Sequence, residues 1–573
     1  MPRAVRWVGA AVAGVAATWV AGADGVDLRP WAVWLGLGLL AGALVVRARR
    51  GGVAVDAPRL ALAGLAAWTA VASLVRASPA AEAAAAVGIA VVAWGLASLV
   101  ADWRARAWAS AAVAGLGACS GLALLAGRWV EGVRSDGLFG NPNLSATIAV
   151  LGAASAPFVR LPLAARWAMG VPAVLGIVAS GSRAALLGLG AVAAAWLLTG
   201  SPRRVRVVAG LALAVGLAAL GFRIGTDRDP LRWERVRIWN VALRVASDHL
   251  PWGTGAGGFA DAAAGRNFPH PDRPARYGLV PDLAESDLLQ LAATTGLPGL
   301  GLAAWLAVGL LRQARRRGPH AWGCLAALGA TSAFHTQLAV PVVAWTATLA
   351  VAAALPAGRR QRTRAGVPVL AAFAGLATAV LATALVRPAW WLGGRPAEHL
   401  AAARALATAA PRSDPRLADA EALATRAVAL RPRWAGGWRE LGALRAARAS
   451  LRGDRMLWAA AGEAYRQARA CNPLDAFAAL EQGRVWRALG DTGQARAALV
   501  GAAGLEPNLV GAWLELALLD LEQGRLEAAR NAVARAMQAA AARPEQPSPY
   551  ERSLAAFDPA IMARLAAVLR EAR

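Results

Sequence analysis

Runs of roughly 15–24 mostly apolar residues, the length range of a membrane-crossing helix, follow one another with short connections through about the first 390 residues of this 573-residue sequence. A helix in a bilayer must satisfy every backbone N–H and C=O internally, so such runs leave the chain few other folds. About thirteen can be marked, near 7–22, 31–46, 60–75, 83–101, 107–126, 143–159, 167–181, 184–200, 205–222, 288–311, 320–338, 340–357 and 366–387. The loops test this assignment independently, because short cytoplasmic loops carry an excess of basic residues. With the N-terminus placed in the cytoplasm, every second loop is basic: Arg47, Arg49, Arg50 and Arg59; Arg104 and Arg106; Arg160 and Arg166; Arg203, Arg204 and Arg206; Arg312, Arg315, Arg316 and Arg317; Arg359, Arg360, Arg362 and Arg364. The intervening loops hold only Arg29, Arg76, Arg128, Arg134 and Arg183, one long loop at about 223–287 excepted. That loop and everything after about 388 are therefore expected outside the cytoplasm. The segment after "MPRAVRW" is expected to be a first span and not a removed signal.

The fold class expected is all-α: a polytopic helical membrane domain over 1–390 followed by an extracytoplasmic α-solenoid of helix pairs over 396–573. Composition agrees, with 57% hydrophobic and only 17% charged residues. The net charge of +26 is carried by arginine without any lysine and falls largely in the loops, so it reads as topology and not as a nucleic-acid surface. Cys119, Cys324 and Cys471 are scattered, which leaves neither a disulfide framework nor a zinc pattern, and no metal is implied.

After "RPAWWLGGRP" the sequence becomes Ala, Leu, Arg and Glu in helical periodicity. From Pro473 to Pro507 is 507 − 473 = 34 residues, and from Gly490 to Gly524 is 524 − 490 = 34 again. With Trp438 and Trp513 placed soon after a proline, this resembles tetratricopeptide repeats. The spacing from Pro432 to Pro473 is longer by seven, so one unit is expected to carry an insertion. Three or four helix pairs would stack as a short solenoid whose concave face could receive a protein partner; the alternative is a helical stalk packed on the membrane domain.

Several polar islands interrupt the apolar half. "GLFGNPNLSATIAV" puts Asn141 and Asn143 where a loop enters a span, either as sugar- or phosphate-binding groups or, for Asn143, as a plain N-cap. "ASGSRAALLGL" puts Arg183 between two spans with almost no loop, where an arginine usually faces a polar cavity or snorkels to the interface. The long loop opens with a surface helix carrying Arg235, Arg237 and Arg244. Its "GTGAGGF" lacks the strand and distal acid of a dinucleotide fingerprint and reads as a tight turn. "PDLAESDLLQLAATTGLPGLGLAAW" sets Glu285 and Asp287 at the lip of a span, where acids can serve chemistry or simply meet the positive end of a helix dipole.

Taken in order, "GLFGNPNLSA", "SGSRAALL", "RVRIWNVAL…DHLPWGTGAGGF", "SDLLQLAATTGLPGLGL" and "HTQLAVPVVAW" resemble the O-antigen ligase family, which includes O-antigen polymerases and bacterial protein oligosaccharyltransferases. The resemblance covers about 125–355. It implies a metal-independent glycosyltransferase of the bacterial plasma membrane, with no cofactor, that moves a glycan from an undecaprenyl-pyrophosphate carrier to a lipid, polysaccharide or protein acceptor at the outer face. On that resemblance Arg183, with Arg237 or Arg235, would face the lipid pyrophosphate, and Asn141, Asn143, Asp287 and Gln290 would line the substrate site. The family's motif begins His-Asn-Asp; this sequence has Glu285, Ser286 and Asp287 in that register. Glu285 could replace the histidine as base, or His270 from "NFPHPDRP" could fold back to do so; His335, nearer the final motif, could reach the same cavity but reads first as a satisfied polar residue. Loss of the family histidine also keeps open a carrier or an inactive scaffold.

Overall fold

The computed structural model describes residues 56–355 and 396–557, apart from short stretches at 77–79, 101–102, 132–134, 227–233, 271–272, 279 and 546, and a few residues beyond 560. The runs expected near 7–22, 31–46 and 366–387 lie outside the described residues. Among the described residues the protein is helical with no strand, and it divides into two compact units.

The first unit comprises residues up to Gly257 together with Leu283–Val386. Its helices are α1 (Ala57–Val75), α2 (Ala80–Leu99), α3 (Trp103–Glu131), α4 (Pro142–Ser155), α5 (Leu163–Ser180), α6 (Arg183–Leu198), α7 (Arg203–Thr226), α8 (Glu234–Asp248), α9 (Asp287–Ala314), α10 (Pro319–Phe334) and α11 (Pro341–Ala354). Four stretches are long and apolar enough to cross a membrane: Trp103–Val130, Leu163–Ser180, Arg203–Phe222 and Asp287–Ala314. The expected count of about thirteen is thus not reached among the described residues, and prolines account for part of the shortfall. Pro142 and Pro341 each start a helix of only 14 residues, which spans about 21 Å where a hydrocarbon core measures about 30 Å.

Close backbone approach holds the centre of this unit together. A Cβ on Gly117 would stand 2.5 Å from Gly152 Cα, and one on Gly121 would stand 2.2 Å from Pro172 O. α3 can therefore touch both α4 and α5 with no side chain intervening, the packing that small residues allow between apolar helices. α10 packs on α6, α6 on α7, and α9 on α1.

α9 is broken at Gly296, whose φ of +64° and ψ of −158° are not helical. The break is repaired by the glycine-rich stretch that the sequence suggested was a turn. Thr254 and Gly255 donate their backbone N–H groups to Ala293 O and Thr294 O, Leu297 N–H donates to Pro251 O, and Trp68 Nε1–H donates to Thr295 O. "GTGAGGF" is thus a splice laid against an interrupted span, which satisfies the backbone groups that the interruption exposes.

The second unit comprises Gly258–Asp282 and the chain from Arg387 onward. Eight helices stack in series: α12 (Pro396–Ala409), α13 (Asp414–Leu430), α14 (Ala435–Arg452), α15 (Arg455–Cys471), α16 (Ala476–Leu489), α17 (Thr492–Leu505), α18 (Val510–Glu522) and α19 (Leu526–Ala541). The seven extra residues need no inserted loop. α14 and α15 have 18 and 17 residues where α16 and α17 have 14 each, and 35 − 28 = 7. The recurring tryptophans have one job: Trp438 and Trp513 each donate the indole N–H to the carbonyl six residues back, at Pro432 and Pro507. That bond closes the turn between pairs. Buried alanines at 420, 424, 427, 464, 476, 479, 495 and 502 let the helices approach closely.

Residues 258–282 fold as part of this unit. Both oxygens of the buried Glu506 carboxylate accept backbone N–H bonds, from Arg276 at 2.8 Å and Tyr277 at 2.7 Å, and the Tyr550 hydroxyl donates to it at 3.1 Å. Asn508 Nδ2 donates to Pro274 O, and Arg431 grips Asp261 with two bonds of 2.8 and 2.9 Å.

Candidate active site

Short breaks between helices of the first unit carry several of the polar residues singled out in the sequence. Between α5 and α6 the connection is two residues: Gly181 caps α5 in the left-handed region, and the Ser182 side chain accepts from Ala185 N–H to start α6. Arg183 is consequently the first residue of α6. At α4 the N-cap is Asn141, which accepts from Asn143 and Leu144 N–H, so Asn143 lies within the first turn and is not the cap.

The centre of the site is Glu285. Its φ of +51° makes it, among the described residues, the one non-glycine side chain in the left-handed region. Such a conformation costs of order 1–3 kcal/mol and persists only where its surroundings enforce it. Here three bonds do so. Ala284 N–H donates to Gln290 Oε1 at 2.8 Å, Trp239 Nε1–H donates to Glu285 O at 3.2 Å, and Ser286 N–H donates to Thr336 Oγ1 at 3.0 Å. Held this way, Glu285 points Oε2 at two nitrogens: His335 Nδ1 at 3.0 Å and Arg235 Nη2 at 3.7 Å. The Glu285 and Arg235 side chains are 27% and 35% exposed, enough to meet a solute, while His335 is 8% exposed.

Burial pushes the Glu285 carboxyl up, but the hydrogen bond and charge of His335 and the charge of Arg235 outweigh it and hold the group below its ordinary value. Burial depresses Arg235, opposed by Glu285 and reinforced by the charge of Arg183. The charge of Arg183 is thus felt at Arg235.

The remaining expected residues divide. Asp287 Oδ1 accepts from the backbone N–H groups of Gln337 and Leu338 at 3.0 and 2.9 Å, tying the start of α9 to the extended segment after α10. Gln337 is fully buried, accepts from Thr147 Oγ1 and donates to Thr331 Oγ1 and Ser332 Oγ, which anchors that segment to α4 and α10. Asn141 and Asn143 lie at the end of α4 whose Leu144 and Ile148 share an apolar cluster with Val342 and Val343 of α11. Arg237 follows Arg235 by two residues, so the helical period turns it to another side of α8, where it is exposed. His270 belongs to the second unit, where it is buried with its ring 4.8 Å from Phe268. His335, read from sequence as a satisfied polar residue, is the histidine in contact with Glu285.

A family profile described as O-Antigen ligase matches residues 168–304. This range includes Arg183, Arg235, Arg237, Glu285, Asp287 and Gln290. No curated protein sequence matches the chain. Among solved structures, the chain is similar to TTC0263, a thermophilic TPR protein in Thermus thermophilus, at 22% identity over 36% of this chain and 91% of that one, with a TM-score of 0.24. Two structures of MamA are similar at 18% identity, covering 25% and 27% of this chain and 88% of each of theirs, both with TM-scores of 0.20. By its profile match, the chain carries an O-antigen ligase domain over residues 168–304.

Proposed function

We propose that this protein is a multi-pass plasma-membrane glycosyltransferase that moves a glycan from an undecaprenyl-pyrophosphate carrier to an acceptor hydroxyl at the outer face. The observation that supports the reading is the contact of Glu285 with His335 and Arg235, of which Glu285 and Arg235 lie, with Arg183, in the range that matches the O-antigen ligase profile. The acceptor oxygen attacks the anomeric carbon, the bond from that carbon to the pyrophosphate oxygen breaks, and the pyrophosphate stays on the lipid. Arg183 and Arg235 stabilise the charge that grows on the leaving oxygen, the kind of preorganised electrostatics that often supplies the largest share of a rate enhancement. Arg235 takes this role in preference to Arg237 because it faces Glu285.

Glu285 is the base. Its Oε2 is occupied by His335 and Arg235, which leaves Oε1 for the acceptor O–H. A carboxylate held below its ordinary pKa is a weak base, suited to a reaction in which the sugar–pyrophosphate bond breaks ahead of proton transfer. His335, on the neighbouring oxygen, orients the carboxylate. Asn141 and Asn143 contribute polar contacts to donor or acceptor, whereas Asp287 and Gln290 position the turn.

The test is glycan transfer in reconstituted membranes supplied with lipid-pyrophosphate oligosaccharides, comparing wild type with Arg183→Ala, Arg235→Ala, Glu285→Gln and His335→Ala. Transfer by wild type and its loss in folded variants is the expected result. A wild type that binds the carrier lipid yet transfers to no acceptor offered would leave a scaffold or carrier in its place.

A further inference from the structure

The chain leaves the first unit after Gly257 and re-enters it at Leu283. Both roots of this excursion stand on α9. On the way out, the N–H groups of Thr254 and Gly255 are bonded to Ala293 O and Thr294 O beside the helix break. On the way back, Glu285 immediately precedes Ser286, the N-cap position of α9, which starts at Asp287. The two roots therefore lie 294 − 287 = 7 residues apart on one helix, about 10 Å along its axis.

Between those roots the repeat unit holds the segment by its backbone. Glu506, fully buried in the turn between α17 and α18, accepts the N–H groups of Arg276 and Tyr277, and Asn508 from the same turn donates to Pro274 O. Ala275, between them, is buried in the apolar cluster that includes Leu499 and Leu509. Nearer the other root, Arg431 grips the Asp261 carboxylate. A buried carboxylate deprived of its donors is costly, so Glu506 resists displacement of the segment. The connecting lengths are short: 261 − 255 = 6 residues on the way out, and 285 − 278 = 7 on the way back from Gly278, where a Cβ would stand 2.9 Å from the Tyr550 ring. Seven residues reach at most about 25 Å, and Pro281 among them fixes one φ, which limits the swing open to residues 280–284.

We infer that the repeat unit acts as an intramolecular clamp on the turn at Glu285, with Glu506 as its positioning residue. Glu285 holds a left-handed conformation that persists only where its surroundings enforce it. An excursion loose at its middle would pull on the bonds around that turn with every fluctuation; one pinned at 274–278 presents residues 280–284 in few conformations. Glu506 touches no reacting atom and acts through the backbone between Tyr277 and Glu285. The inference rests on the transferase reading for its kinetic readout only.

The experiment uses the full-length protein in nanodiscs and compares wild type with Glu506→Ala, Glu506→Gln and Asn508→Ala. Arg448→Ala, which removes ion pairs with Asp414 and Glu421, controls for destabilisation elsewhere in the repeat unit. Hydrogen exchange at Ala284 and Ser286, whose N–H groups are bonded to Gln290 and Thr336 in the first unit, is read beside transfer kinetics. Expected in Glu506→Ala are exchange faster by about tenfold at both amides and kcat lower by about tenfold, with KM for the donor unchanged. Glu506→Gln, which keeps one acceptor oxygen, falls between that variant and wild type, and Arg448→Ala moves neither readout. The inference is overturned if Ala284 and Ser286 exchange as in wild type while 274–278 loosens, if Arg448→Ala reproduces the effect, or if Glu506→Ala keeps the wild-type kcat. Should Glu506→Ala not fold, Glu506→Gln and Asn508→Ala decide by the same criteria. A wild type that transfers to no acceptor ends the transferase reading, and exchange at the two amides then decides the clamp by itself.

Discussion

Glu285 and His335 stand fifty residues apart in sequence and meet at 3.0 Å, the carboxylate projecting from a left-handed turn and the imidazole from the extended end of α10. Each belongs to a helix break, and the two breaks are tied together by Asp287 and Ser286. The contact is therefore a property of two interruptions and not of either helix.

Removing either partner should separate folding from turnover. Glu285→Gln keeps the shape and loses the charge and the base, and should lower transfer by about 10²–10⁴-fold. His335→Ala should cost a comparable factor, with His335→Gln recovering part of it by restoring a donor to Oε2. Arg235→Ala should cost about 10²–10³-fold. Single-turnover assays on membranes with matched protein content would decide this; equal rates for wild type and Glu285→Gln would remove the carboxylate from the chemistry.

The pH dependence has a defined sign. A carboxyl held below its unfolded value of about 4.3 gives stability that is fully present above that value and is lost as pH falls through the lower folded value. The difference in thermal midpoint between wild type and Glu285→Gln should be fully present at about pH 5 and close below about pH 4. A difference that already shrinks between neutrality and mild acid would contradict the direction assigned to Glu285.

Gln290→Ala should act through Glu285 and not through substrate. It leaves Ala284 N–H without its acceptor, at a cost of about 1–3 kcal/mol, and frees the turn that aims the carboxylate. The expected signature is a fall in kcat with KM little changed, alongside a lower melting midpoint. A variant with unaltered kcat and raised KM would make Gln290 a substrate ligand instead.

Glu506→Gln tests how residues 258–282 are held. The amide can accept at one oxygen only, so one of the two backbone donors, Arg276 or Tyr277, faces an NH2 group. A loss of about 1–3 kcal/mol of local stability should appear as faster hydrogen exchange across 274–278, by at least about tenfold. Unchanged exchange there would mean that other contacts hold the segment.

Helical class, the basic loops and the 34-residue period were legible in the sequence because each depends on local pattern. The extra seven residues after Pro432 were visible as a spacing, but their division between α14 and α15 follows from how far each helix continues before Gly453 and the Asn472 turn. Arg183, Glu285 and Asp287 stood out as polar groups in apolar surroundings. His335 was legible only as a residue that could reach the same cavity, because what distinguishes it is a partner fifty positions away. Nor could one strand of sequence reveal that "GTGAGGF" fills the gap at Gly296, since a glycine-rich run looks alike as a surface turn and as a splice between helix halves. The choice between Arg235 and Arg237 needed the orientation of α8, which the spacing of two arginines does not fix.

The glycine contacts of α3 carry a consequence for how such a protein can vary. Any side chain at Gly117 or Gly152 must push two backbones apart, and replacing both together makes the clash worse. The distance between α3 and α4 is therefore set by the absence of two side chains, and what fixes it is what the sequence leaves out.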